Sequence, residues 1–114
     1  NPIEVWGDGN DIRDFIHIDD FVRACVMVME KVNNYDIFNI GSGTGKSVKD
    51  ILNTCMKIEN YNTKIIYNSN KPSMIPIRLL DVSKAEKVFG FKTKISLQEG
   101  LEKTIKWYKN EYNV

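Results

Sequence analysis

No run of apolar residues in this chain approaches the roughly 20 needed to cross a bilayer, and no signal peptide opens it, so no membrane partner is expected and a cytoplasmic location is. An excess of one charge sign is missing too. Sixteen Lys and Arg against 15 Asp and Glu leave a formal charge of +1 with the signs interspersed, which excludes the basic stripe of a nucleic-acid binder and leaves any anionic ligand to local residues. Cysteine is scarce: Cys25 and Cys55 fall on apolar helical positions, where a thiol is more often a small buried hydrophobe than half of a disulfide. The single histidine, His17, has no nucleophile or metal-ligand partner at a recognisable spacing, so its expected role is a packed or hydrogen-bonded strand residue. A Gly-rich strand-to-helix turn of the dinucleotide-binding kind is also lacking.

What is present fits one small domain, residues 1–114, with a modest core and no internal repeat. Ile3 to Trp6 reads as a short strand, and Gly7 and Gly9, set among Asp8, Asn10 and Asp11, read as a turn. From Ile12 to Ile18 the residues alternate, which predicts a strand with Ile12, Ile16 and Ile18 on one face. Asp19 or Asp20 then caps a helix that reaches Asn33-Asn34, with an apolar surface broad enough to predict burial on most sides. Asp36 to Ile40 reads as a strand ending at the glycine cluster Gly41–Gly45. Three further helices are announced by Ser-x-x-acid boxes at Ser47 and Asp50, Ser83 and Glu86, and Ser96 and Glu99, the second ending at Gly90. Lys64 to Tyr67 reads as a strand, and Asn68 to Arg78, with Pro72 and Pro76, as a loop. The expectation is an α/β domain of about four helices and short strands, with Leu52 and Leu101 meeting in a shared core.

Several motifs fail on spacing or context. Gly41-Ser42-Gly43-Thr44-Gly45-Lys46-Ser47 imitates a phosphate loop, but the position that needs its first glycine is Ile40. Tyr67-x-x-x-Lys71 imitates a proton-relay pair, yet such a pair must share a helix face, and Tyr67 ends a strand while Lys71 precedes Pro72. The aspartates from Asp8 to Asp20 lack the glycine and the closing glutamate of a calcium loop. Trp6 and Arg13 are different: an aromatic at a glycine turn and a guanidinium at a turn–strand junction could converge on one planar anion, though a core tryptophan and a surface arginine fit composition equally well.

Trp6-Gly7-x-Gly9 followed by Arg13-Asp14-Phe15-Ile16-His17-Ile18-Asp19-Asp20 resembles the C-terminal part of the extended short-chain dehydrogenases/reductases that rebuild nucleotide sugars, the NAD-dependent epimerase/dehydratase family, with the GDP-fucose synthases as the nearest kind and the UDP-glucose 4-epimerases and nucleotide-sugar dehydratases behind them. Asn70-Lys71-Pro72 and Pro76-x-Arg78-Leu79-Leu80-Asp81 resemble a second segment of the same family, with Ser73, Met74, Ile75 and Ile77 departing from it. The resemblance implies that Trp6, Arg13, Lys71 and Arg78 bind the nucleotide-sugar substrate, Arg13 and Lys71 at its phosphates, and that this chain carries no catalytic residue. It implies an NAD- or NADP-dependent enzyme whose Rossmann domain precedes Asn1, binds the cofactor and forms a homodimer. The chain, which starts without a methionine, then reads as a fragment that binds no cofactor and is inactive alone. A free-standing binding module without chemistry is the alternative.

Overall fold

The computed structural model describes residues 1–72 and 75–114, so Ser73 and Met74 of the expected loop lie outside it. The elements are β1 (Ile3–Trp6), β2 (Ile12–Asp14), α1 (Ile18–Lys31), β3 (Gly45–Ser47), α2 (Val48–Ile58), β4 (Ile65–Asn68), β5 (Ile77–Arg78), α3 (Ser83–Phe89) and α4 (Leu97–Tyr112). They form the α/β domain of four helices and short strands that the patterning suggests. β1 runs parallel to β4, from Ile3 opposite Ile65 to Trp6 opposite Asn68. β2 is the middle strand of a second sheet, antiparallel to β3 and parallel to β5.

Four expectations need correction. The strand predicted over Ile12–Ile18 stops at Asp14, because its partners run out: Asp14 faces Gly45, the first residue of β3, and β5 ends at Arg78. His17 is therefore the N-cap of α1 rather than a strand residue, its Nδ1 accepting the N–H of Asp19 at 3.1 Å. The expected strand at Asp36–Ile40 is absent, with Tyr35 and Ile37 exposed and side-chain ties, such as Lys84 Nζ to the Ile37 carbonyl at 2.9 Å, holding the segment. Strand propensity makes no ladder without an adjacent edge. Ser83 is the first residue of α3, not its cap: the N-cap position is Val82, which offers no side-chain acceptor, and the Ser83 N–H is taken by Asp81 Oδ1 at 2.9 Å. By contrast, Ser47 and Asp50 form the complete reciprocal box at 3.1 and 2.9 Å, Ser96 caps α4, and α3 ends at Gly90 with φ 76°, a left-handed position suited to glycine.

The fully buried apolar side chains are Ala24, Ala85, Phe89 and Phe91, where α1 meets α3, with Phe38 packed edge-to-face on Phe89 at 5.1 Å. Leu52 and Leu101 are only half-buried and belong to the outer α2–α4 contact, so the core expected around them sits elsewhere. α1 is also less covered than its composition suggests: Phe21, Val22, Cys25, Val26 and Met29 are exposed, because only the Asp20–Ala24 side of the helix is packed. Of the two thiols, only Cys55 is half-buried, and that burial raises its pKa. The molecule is correspondingly open. Its surface of 8345 Å² exceeds the about 6,400 Å² usual for 13.2 kDa, and its radius of gyration of 16.9 Å exceeds the about 13 Å usual for this length. No helix among the described residues is long and apolar enough to cross a membrane.

One polar latch closes the core. Asp20, 1% exposed, accepts Arg23 at 2.6 Å and the N–H groups of Lys94 and Ile95 at 2.9 Å each. Arg23 in turn lies 4.9 Å from the centre of the Phe91 ring. Burial by itself raises the Asp20 pKa, but the Arg23 hydrogen bond and the two backbone donors outweigh it and hold the carboxyl below the usual range.

Phe89→Ala should cost about 3–5 kcal/mol in denaturant unfolding, whereas Leu52→Ala and Leu101→Ala should each cost less than about 2 kcal/mol; equal losses would contradict this placement of the core. The depressed folded pKa of Asp20 contributes stability that is present above the unfolded value of about 3.9 and is lost as pH falls through the folded value. Asp20→Asn should therefore be less stable than the parent at pH 7 yet lose less on acidification below about pH 4, which urea titrations at pH 7 and 3 would measure.

Candidate functional site

The site grows from the ends of β1 and β4. The Asn68 carbonyl accepts the N–H of Gly7 at 3.0 Å and of Lys71 at 3.2 Å, so the residues that follow both strands fold around one acceptor. That fold brings Lys71 Nζ to 5.4 Å from the centre of the Trp6 ring. Trp6 is 61% exposed, which rules out the core reading and leaves an aromatic face beside a cation. Gly7, Asp8, Asp11, Ser69, Lys71 and Pro76 line a cleft of 360 Å³ next to this pair.

Arg13, on β2, does not itself line that cleft. Its guanidinium is 23% exposed and donates to the carbonyls of Ile12 at 2.8 Å and Ile75 at 2.7 Å, with Asp11 Oδ2 at 3.4 Å. β2 and β5 place Arg78 directly beside it in register. The structure thus groups Trp6 with Lys71 and Arg13 with Arg78, and Asp11 joins the groups by lining the cleft and pairing with Arg13. The cleft also carries the Asp8 carboxylate, which the backbone and side chain of Asn10 hold at 2.9 Å and whose pKa those hydrogen bonds lower.

Lys49 was not singled out by the sequence, yet its Nζ donates to Asn10 Oδ1 at 3.0 Å and sits 4.9 Å from the centre of the Tyr67 ring. Nothing in the spacing links the second residue of a helix to a turn 39 positions earlier, so no sequence signal could have found it. Tyr67 and Lys71, whose spacing imitates a proton relay, face different partners, Lys49 and Trp6 respectively.

The glycine cluster after Ile40 has its backbone donors committed. Asp14 Oδ1 accepts the Ser42 N–H at 2.7 Å and the Ser42 hydroxyl at 2.5 Å, and Asp14 Oδ2 accepts the Gly43 N–H at 2.9 Å. An internal carboxylate already fills the place an anion would take, so this turn does not fit the pyrophosphate of a dinucleotide. It also leads into β3 before α2, and the segment that enters it, Asp36–Ile40, is not a strand. A larger cleft of 510 Å³, with Phe15, Thr44, Lys46, Thr54, Ser96 and Gln98 among its walls, adjoins β3.

Comparison with known proteins gives this geometry a context. Residues 1–41 match the NAD dependent epimerase/dehydratase family. Over 106 residues the chain is 33% identical to GDP-L-fucose synthase 1 of Arabidopsis thaliana, a match covering 93% of this chain and 32% of that protein. The UDP-glucose 4-epimerase of Thermotoga maritima, solved with UDP-glucose, superposes with a TM-score of 0.87 at 32% identity over 97% of this chain and 36% of its own. The UDP-glucuronic acid 4-epimerase of Bacillus cereus, in complex with UDP-glucuronic acid and NAD, superposes with a TM-score of 0.85 at 30% identity over 97% and 36%. The chain spans about a third of the length of these relatives. Over nearly all of its own length the chain is thus similar in sequence and backbone to nucleotide-sugar synthases and epimerases, and its first 41 residues carry the match to the NAD dependent epimerase/dehydratase family.

Proposed function

We propose that residues 1–114 are the nucleotide-sugar-binding part of an NAD- or NADP-dependent epimerase or reductase of the GDP-fucose synthase kind, and that Trp6, Arg13, Lys71 and Arg78 hold its substrate. The observation that carries this reading is how these residues flank one cleft in two pairs: Lys71 lines it with its Nζ 5.4 Å from the Trp6 ring, and Asp11, which also lines it, pairs with Arg13, whose register partner is Arg78. A cation over an exposed indole and a half-buried guanidinium beside a second arginine suit a ligand with an aromatic base and a diphosphate. In this assignment Trp6 lies against the nucleoside, Lys71 and Arg13 neutralise the phosphates, and Arg78 supports Arg13. The site contributes to the reaction by positioning, keeping the sugar where a bound nicotinamide can exchange hydride with it. In this reading the nicotinamide dinucleotide is held by residues other than these, because the chain's own glycine turn is occupied by Asp14.

The test is kinetic, on the complete enzyme that contains this segment. Arg13→Ala should raise KM for the nucleotide sugar about ten- to a hundred-fold with kcat nearly unchanged, as for loss of a charge-assisted contact worth about 1.5–3 kcal/mol in ground and transition states alike. Lys71→Ala should act in the same direction, and Arg13→Lys should restore only part of the affinity, since a point charge lacks the bidentate fork. If Arg13→Ala and Lys71→Ala both stay folded and leave KM and inhibition by nucleoside diphosphates unaltered, the assignment is wrong.

A further inference from the structure

We infer that Lys46 is a fourth cation for the same ligand, completing with Arg13 and Arg78 a row that crosses the whole β3–β2–β5 sheet. The inference rests on the reading of the site given above and adds a residue to it. Arg13 is the register partner of Lys46 on β3 and of Arg78 on β5. Register partners on adjacent strands project to the same face, so Lys46, Arg13 and Arg78 stand side by side there, on strands about 4.8 Å apart. Like charges placed directly opposite one another destabilise a sheet, and here two such contacts occur in succession on one line. The chain has almost no surplus of positive charge from which such a row would arise by default, its formal charge being +1.

The carboxylates nearby do not neutralise the row. Asp11 pairs with Arg13 at 3.4 Å, and among the described residues no carboxylate lies within ion-pair distance of Lys46 or Arg78. Asp50, which feels the charge of Lys46, is committed to the Ser47 backbone as half of the α2 capping box. Asp14, the other acid on β2, projects to the opposite face and is bonded to Ser42 and Gly43. A group with two or more negative charges lying along the row relieves both repulsions at once, which a single anionic oxygen does not.

The placement of Lys46 also sets where the ligand runs. The strands of the row reach two clefts: Asp11 and Pro76, which immediately precede β2 and β5, line the 360 Å³ cleft, and Lys46 itself lines the 510 Å³ cleft with Phe15, Thr44 and Ser96. A diphosphate on the row therefore has the cleft lined by Lys71 at one end and the hydroxyl-rich cleft of Thr44 and Ser96 at the other, and Lys46 holds the phosphate nearer the second.

The inference is tested by calorimetry on the complete enzyme with GDP, UDP and inorganic pyrophosphate, comparing the parent with Lys46→Gln and Lys46→Arg. Lys46→Gln should weaken the nucleoside diphosphate that the parent binds, and pyrophosphate with it, by about tenfold, while Lys46→Arg should stay within about threefold. The melting temperature of Lys46→Gln should not fall, since the substitution removes a repulsive neighbour; a residue that only supported the sheet would lower it. A parent that binds a nucleoside diphosphate while Lys46→Gln binds equally well overturns the role of Lys46 and leaves the Arg13–Lys71 assignment standing. A parent that binds none of the three ligands overturns both.

Discussion

Every part of the site depends on β2 being paired along both edges. Three residues, Ile12 to Asp14, have to carry an antiparallel partner on one side and a parallel partner on the other, and Arg13 occupies the middle rung. The antiparallel side is closed by the Asp14 carboxylate, which draws in Ser42 and Gly43 and so turns the chain back as β3. That return needs a glycine at the start of β3, because a Cβ on Gly45 would lie 2.5 Å from the Ile12 side chain. Beyond Asp14 no further rungs are available, and the chain is free to enter α1 through the His17 cap. The short length of β2 thus sets the position of a guanidinium, a turn and a helix start together.

A chain with nearly balanced charge can still present a cationic surface if its carboxylates are spent on structure. Asp14 ties the turn, Asp20 latches α1 to the segment after Phe91, Asp50 completes the α2 capping box, Asp81 takes the Ser83 N–H, and Asp8 holds its own turn through Asn10. The cations near the cleft are less committed, and they differ in kind. Arg13 is half-buried and held by two carbonyls, so the geometry it offers is fixed before a ligand arrives, whereas Lys71 rests on an exposed indole at modest cost to move. Preorganised and mobile cations at one site suit a ligand that is first captured and then held in one orientation.

How much of this was legible in the sequence follows from which interactions are local. Caps, turns and helix ends are set within four or five residues, so Ser47, Ser96 and Gly90 read correctly. The failures involve partners. Alternation from Ile12 to Ile18 is indistinguishable from a longer strand until the lengths of β3 and β5 are known, and Asp36–Ile40 has strand composition without an edge to join. The apolar surface of α1 foretold burial, but the open shape of the molecule leaves much of it uncovered. Asp20 looked like a cap because sequence carries no sign that Lys94 and Ile95 would come to it. For the proposed site, Trp6, Arg13, Lys71 and Arg78 were expected from the resemblance alone, whereas the contacts of Lys49 and the in-register position of Lys46 exist only after the sheets assemble.

The central claim is that a nucleoside diphosphate lies across β2 with its phosphates among the cations, and the most direct test is a crystal structure of the complete enzyme soaked with GDP or UDP. The account predicts phosphate oxygens within about 3.2 Å of the Arg13 guanidinium and of Lys71 Nζ, with the base against the Trp6 ring. A nucleotide bound with its phosphates away from β2, leaving Arg13 on the carbonyls of Ile12 and Ile75 and Lys71 on Trp6, would contradict it.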